Sequence, residues 1–294
     1  MRFLLLAMLI SQSESSGASL APLSRPQAAL LAQWYGQLGE PEPEETFGNF
    51  LARAASNKVL SPYRRLDENT GPERPRIDLE HFDCLSLIDT SMAVARCQWL
   101  REPTETCFVR ELIATRYRNG VIKDFASRLH YLEEWLDDNR ARHRLDDLTR
   151  DLGGVLLRRR FDYMSEHSSL YPPMSDPIAR KAIELTEVQL SQRIYAVIVR
   201  RSVREKAQLL QNGDLVGIVT TDPGRLLGHA GVVVRDGHGR VQLLHASSHR
   251  RRVVLTSTSL ADYVLRREER WGIMVARPRS PGANDRPVAG PIHP

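Results

Sequence analysis

Three short β-rich runs in the last third of the chain, Asp214–Thr220, His229–Val234 and Val241–His245, constrain the fold more than any other feature. Between the second and third, Asp236-Gly237-His238-Gly239 supplies residues that tolerate positive φ, so the runs read as an antiparallel meander. A loop spanning Arg235 to Gly239 sets Val234 against Arg240 and, counting back, His229 directly against His245. Cross-strand partners lie about 5 Å apart at Cβ, so the two imidazoles would meet on one face. A one-residue change in the loop would send them to opposite faces.

Far upstream, Leu85, Ile88, Met92, Ala95 and Trp99 recur at three- and four-residue spacing and predict a helix with one buried face. Asp83 is a favoured N-cap residue, which puts Cys84 in the first turn. Free backbone N–H groups and the helix dipole there favour thiolate over thiol and should lower the cysteine pKa. Taken alone, Cys84 fits a small buried hydrophobe at least as well. Each histidine alone likewise reads as structural. Together, in this order and on these elements, the three follow the logic of a thiol hydrolase. Cys84 attacks a carbonyl, His229 takes its proton and returns it to the leaving amine, and His245 orients His229. The Cys84 N–H would help hold the oxyanion.

The other cysteines, Cys97 and Cys107, could bridge in an oxidising compartment and leave Cys84 free. They lack C-x-x-C spacing, so neither a metal site nor a cofactor is expected. Such a compartment matches the N-terminus, where Arg2 precedes an apolar run from Phe3 to Ile10 and then small polar residues. Residues 1–18 read as a secretory signal peptide, too short to span a bilayer. Residues 19–59 form an N-terminal helical segment in which Leu30, Leu31, Trp34, Tyr35 and Leu38 share one side, broken at Glu40–Glu45. Phe108–Tyr117 fits a helix or a strand and ends at Arg118-Asn119-Gly120. Phe125–Asn139 has amphipathic spacing, with His130 and Tyr131 as packing residues on it. A helical stretch over 176–192 leads to a strand at Tyr195–Val199. Residues 280–294 read as a flexible tail. The net charge of +5 is carried mainly by arginine and would suit a polyanion, but no basic run with interleaved aromatics indicates nucleic-acid binding.

The Asp83-Cys84 helix start, Gly228-His229-Ala230-Gly231 and Leu244-His245-Ala246-Ser247-Ser248 resemble the NlpC/P60 superfamily of papain-like cell-wall hydrolases. Within it they are most similar to the DUF1460 group, the N-acetylmuramoyl-L-alanine amidase-like proteins. Ser127-Arg128-Leu129-His130-Tyr131, Met164-Ser165-Glu166-His167 and Ala261-Asp262-Tyr263 with Gly272-Ile273 extend the likeness over roughly residues 60–277. The resemblance implies an α+β fold: a cysteine-bearing helix packed on an antiparallel sheet, with added N-terminal and inserted helices, in a catalytic domain over 60–279. It implies an exported enzyme that cleaves an amide of peptidoglycan or muropeptides, foremost the bond between N-acetylmuramic acid and L-alanine. Cys84, His229 and His245 match nucleophile, base and third polar residue. Tyr63, Asp83, Arg128, His130 and Tyr131 become substrate-binding candidates, Arg128 by pairing with a muropeptide carboxylate. Neither nucleic acid nor stable membrane insertion is implied. A γ-D-glutamyl-diaminopimelate endopeptidase and a non-catalytic wall-binding protein are the alternatives.

Overall fold

The structure, a computed structural model, describes residues 23–65 and 71–282; the expected leader, 1–18, and most of the 280–294 tail lie outside them. Two N-terminal helices, α1 (Arg25–Leu38) and α2 (Phe47–Ser56), precede α3 (Cys84–Trp99) and α4 (Glu105–Arg116). Next come α5 (Leu132–Ala141), β1 (Leu145–Asp147), β2 (Val155–Leu157), α6 (Tyr163–Glu166) and α7 (Pro177–Gln192). The remainder runs β3 (Tyr195–Val199), α8 (Val203–Lys206), β4 (Leu215–Thr220), β5 (Leu227–Arg235), β6 (Val241–Ser247), β7 (Arg252–Leu255), α9 (Leu260–Leu265) and β8 (Arg270–Pro278). The sheet order is β2-β3-β8-β4-β5-β6-β7, with β1 also paired to β8, and every pair is antiparallel. The expected meander is present as β4-β5-β6, and the last strand of the chain lies between β3 and β4.

Strand alternation divides the core into two layers. Leu215, Val232 and Leu244 face α1 to α4, whereas Val216, Val233 and Leu243 face α8 and α9. The central helix α3 therefore lies against one face of the sheet. It is buried on all sides from Ser86 to Gln98, not along one stripe, because α2 and α4 cover what the sheet does not. Its buried charged groups are paired, as such burial demands. Asp89 accepts from the Arg116 guanidinium at 2.9 Å and from the Trp135 indole at 2.9 Å. Arg96 and Arg144 both reach Glu111 at 2.7 Å. Cys97 and Cys107 are bonded as a disulfide that ties α3 to α4, and Cys84 is the free cysteine.

The β5–β6 hairpin departs from the expected register. Arg235 stays in β5 and pairs with Val241, so Val234 meets Gln242 and not Arg240. The loop closes one residue later, where Asp236 N–H donates to the Arg240 carbonyl at 3.1 Å and Gly239 takes φ +76°. The Asp236 carboxylate holds the turn by accepting the N–H groups of His238 and Arg240. Extending this register sets His245 opposite Gly231 and His229 opposite Ser247, a shift of two residues. An even shift preserves the face, so both histidines still point the same way. The second departure is at 125–131, which is not helical throughout. Asp124 and Ser127 form a reciprocal capping pair on a tight turn, and α5 starts only at Leu132, which leaves His130 and Tyr131 on extended backbone.

Helices α1 and α2 share the core of the rest. Trp34 is fully buried in the same cluster as Phe82, Met92 and Leu244, and its indole donates to the Ala54 carbonyl at 3.0 Å. Where α2 meets the turn before β4, a Cβ on Gly213 would lie 2.2 Å from the Gly48 carbonyl, and Gly213 takes φ +81°. Trp34→Ala should therefore cost about 3–5 kcal/mol. It should lower the midpoint of a single denaturant transition monitored by circular dichroism; separate melting of an N-terminal unit would contradict the shared core.

Candidate active site

A short extended segment sets the height of the α3 N-terminus. Tyr63 pairs in parallel with Phe82, Phe82 N–H donates to the Pro62 carbonyl at 3.0 Å, and Tyr63 N–H donates to the Arg251 carbonyl at 2.9 Å. Asp83 then caps α3: its carboxylate accepts Ser86 N–H at 2.7 Å while the Ser86 hydroxyl accepts Asp83 N–H at 2.9 Å. Asp83 thus serves the helix start itself. Cys84 follows in the first turn, near enough to the Ala230 N–H of β5 that this dipole acts to lower its pKa. His229, the residue before Ala230, lines the same cleft as the thiol.

His229 Nε2 and His245 Nδ1 are 2.8 Å apart with their rings nearly perpendicular at 85°. With Nε2 engaged, Nδ1 is the His229 nitrogen left for the thiol. Burial dominates the electrostatics of the group. It pushes the Cys84 thiol up to about 12, and the Asp83 charge adds to this, outweighing the N–H groups of Ala230, Leu85 and Cys84 itself. The expectation of a lowered thiol pKa is therefore overturned: a helix start stabilises a thiolate only as far as desolvation allows. Burial and Arg270 lower His229 to about 4; burial, His229 and Arg270 lower His245 to about 3. The free site is accordingly a neutral thiol beside neutral imidazoles.

Cys84 opens onto a cleft of about 170 Å³ whose lining includes His130, Tyr131, Tyr163, Leu227 and His229. A second pocket of about 160 Å³ adjoins it through Leu85, His130, Met164 and Tyr171. A third, of about 240 Å³, lies across the histidine pair and is lined by Thr220, Ser247, Tyr263 and Arg270. The candidate binding residues fare differently. His130 lines both pockets nearest the thiol, with Nε2 2.7 Å from the Phe125 carbonyl. Arg128 lines the second pocket, but its Nε lies 3.1 Å from Glu73 Oε1, so an internal carboxylate holds the guanidinium expected to meet substrate. Tyr131 lines the thiol cleft with its ring, while its hydroxyl donates to Glu187 at 2.7 Å. Tyr63 is half-buried and near enough to Cys84 and Asp83 that their charges raise its pKa, after burial.

Three further residues shape the site: Tyr263, which the sequence offered only within the Ala261-Asp262-Tyr263 likeness, and Arg270 and Glu133, which had not stood out. Arg270 stacks 3.7 Å over the Tyr263 ring, and Tyr263 in turn packs against His245 at 5.1 Å. Glu133, fully buried on α5, accepts the N–H groups of Leu226 and Leu227 just before Gly228-His229, and burial raises its carboxyl to about 7. Each lies on an element whose position depends on long-range packing, so local sequence carried no signal for the roles of Arg270 and Glu133.

Among the described residues no group of three or more His, Cys, Asp or Glu is arranged to hold a metal ion, and no helix is long and apolar enough to cross a membrane. No curated protein matches the chain. Solved structures do. A crystal structure of an N-acetylmuramoyl-L-alanine amidase from Bacteroides uniformis superposes with a TM-score of 0.74 at 26% identity, covering 80% of this chain and 99% of that one. A Bacteroides fragilis protein provisionally called a xylanase aligns with a TM-score of 0.71 at 28% identity, over 76% of this chain and 98% of that one. A DUF1460 protein from Legionella pneumophila, 17% identical, shares the fold with a TM-score of 0.63 over 87% of this chain and 96% of that one. The family model of the AmiA-like, N-acetylmuramoyl-L-alanine amidase-like proteins matches residues 60–273, a span that holds the thiol, both histidines and all the candidate binding residues. The chain belongs to the N-acetylmuramoyl-L-alanine amidase-like family.

Proposed function

We propose that this protein is an exported cysteine hydrolase of the papain-like NlpC/P60 type that cleaves the amide between N-acetylmuramic acid and L-alanine in peptidoglycan or its fragments. The observation that carries the reading is the Cys84, His229, His245 alignment. A thiol at a helix start shares a cleft with a histidine whose Nε2 is 2.8 Å from a second imidazole. Because Cys84 rests as a thiol, nucleophile formation is a proton transfer to His229 Nδ1 as the carbonyl arrives, not discharge of a standing ion pair. The imidazolium then donates from Nε2 to His245 Nδ1, which spreads the charge and fixes the ring. N–H groups in the first turn of α3 stabilise the oxyanion, and His229 returns the proton to the leaving amine. A second acid–base cycle at His229 activates water and releases the acyl enzyme. The product pair is an acid on the lactyl side and a free L-alanine amine on the peptide side.

Glycoside hydrolysis is disfavoured by the same geometry, since it needs two available carboxyl groups flanking the bond. Asp83 is engaged in the α3 cap and Asp89 by Arg116 and Trp135. Export is supported by the leader pattern and by the Cys97–Cys107 disulfide, which persists in oxidising compartments.

Cys84→Ala should keep the circular-dichroism spectrum and lower hydrolysis of defined muropeptides on the order of a thousandfold or more; retained turnover would refute the mechanism. Mass spectrometry of the wild-type products should show an intact stem peptide beginning with L-alanine, whereas cleavage after D-glutamate would indicate the endopeptidase instead. A third outcome concerns pH. With His229 near 4 and His245 near 3 against an ordinary 6.5, unfolding takes up protons in between. Stability thus rises with pH across that window and is lost as pH falls from about 6.5 towards 4. Denaturant titrations should show this loss reduced in His245→Gln; equal pH slopes in variant and wild type would refute the buried neutral pair.

A further inference from the structure

The pocket that adjoins the thiol cleft carries more positive charge than its own carboxylates engage. Arg65, Arg76, Arg116 and Arg128 line it, against Asp83 and Asp89. The acidic groups are committed. Asp89 accepts from Arg116 Nε, Glu73 holds Arg128 and also accepts the Tyr117 hydroxyl, and Asp83 caps α3. Two donors remain. Arg116 is almost wholly buried; its Nε and Nη1 are satisfied by Asp89 and the Arg76 carbonyl, but its Nη2 has no hydrogen-bond partner among the described residues. A buried guanidinium donor left unmade is costly, so a site of this kind is completed by an anionic acceptor. Arg65 stands exposed at the pocket mouth with its guanidinium 5.7 Å from the Tyr171 ring centre, and among the described residues it pairs with no carboxylate.

We propose that this pocket is a carboxylate subsite for the peptide half of the substrate, with Arg65 and Arg116 as its uncommitted donors. The inference rests on the amide-hydrolase reading and deepens it by assigning direction. The pocket shares His130, Met164 and Tyr171 with the thiol cleft, so a carboxylate there lies within one or two residues of the scissile amide. The peptide leaving group enters this side, and the uncharged sugar lies towards the pocket across the histidine pair. Arg128, held by Glu73, forms part of the wall and is not the binding fork.

The test compares N-acetylmuramoyl-L-alanyl-D-glutamate with the same compound in which both glutamate carboxylates are capped as carboxamides. The wild type should show at least a tenfold lower KM for the free acid. Arg65→Glu should erase that preference, and Arg65→Lys should keep part of it; Arg65 is exposed, so neither change threatens the core. No preference in the wild type, or a preference that survives Arg65→Glu, overturns the subsite. Calorimetric binding of the dipeptide L-alanyl-D-glutamate to the Cys84→Ala protein separates this idea from the enzymatic one. Binding that Arg65→Glu weakens tenfold supports the subsite even if neither compound is hydrolysed, a result that would sink the amidase alone. Hydrolysis of both compounds without Arg65-dependent binding sinks the subsite alone.

Discussion

The burial of α3 against the sheet is the constraint on which the rest depends. A helix enclosed on every side has no solvent to satisfy its charged residues, so the fold must deliver partners for Asp89 and Arg96 from α4 and α5. Those partners fix α3 along its axis and about it. The consequence appears at its first residue, where Cys84 is set close to the Ala230 N–H and lines one cleft with His229. A thiol on a helix free to slide could not keep that position, and the candidate nucleophile would lose its place beside His229.

The same burial sets the chemistry. Removing water raises the thiol and lowers both imidazoles, so the resting group carries no charge. The helix dipole, which favours an ion pair, is the weaker effect here. On the proposed mechanism such a site would store its reactivity in alignment, and ionisation would wait for a substrate whose developing charge it can stabilise. Arg270 contributes by holding Tyr263 against His245 and by opposing protonation of either histidine. Glu133 contributes by gripping the backbone just ahead of His229.

Charge around the thiol is unevenly distributed. Towards Arg65 and Arg116 the wall is cationic and already structured by Glu73, Asp89 and their partners. Across the histidine pair the lining mixes Thr220, Ser247 and Tyr263 with Arg270. An amide with a neutral sugar on one side and an acidic peptide on the other, as proposed, matches that division.

Local sequence determined those parts of this protein that rest on local physics. The apolar spacing after Cys84, the Asp83 cap and the β-rich runs around His229 and His245 are written in neighbouring residues, and so were the thiol, the two histidines and their shared face. The hairpin register was two residues off because Arg235 keeps to its strand, held by Asn212 and the Leu210 carbonyl from outside the hairpin. Only tertiary structure decided what depends on distant partners. β8 becomes a central strand because β3 and β4 leave a gap for it, although its start, Arg270-Trp271-Gly272, carries little strand signal of its own. Arg128 was legible as a cation beside the site, but Glu73, remote in sequence, takes its fork and leaves the open donors to Arg65 and Arg116. The thiol pKa was misjudged for the same reason: a helix terminus is a local feature, whereas desolvation is the sum of everything the fold packs around it.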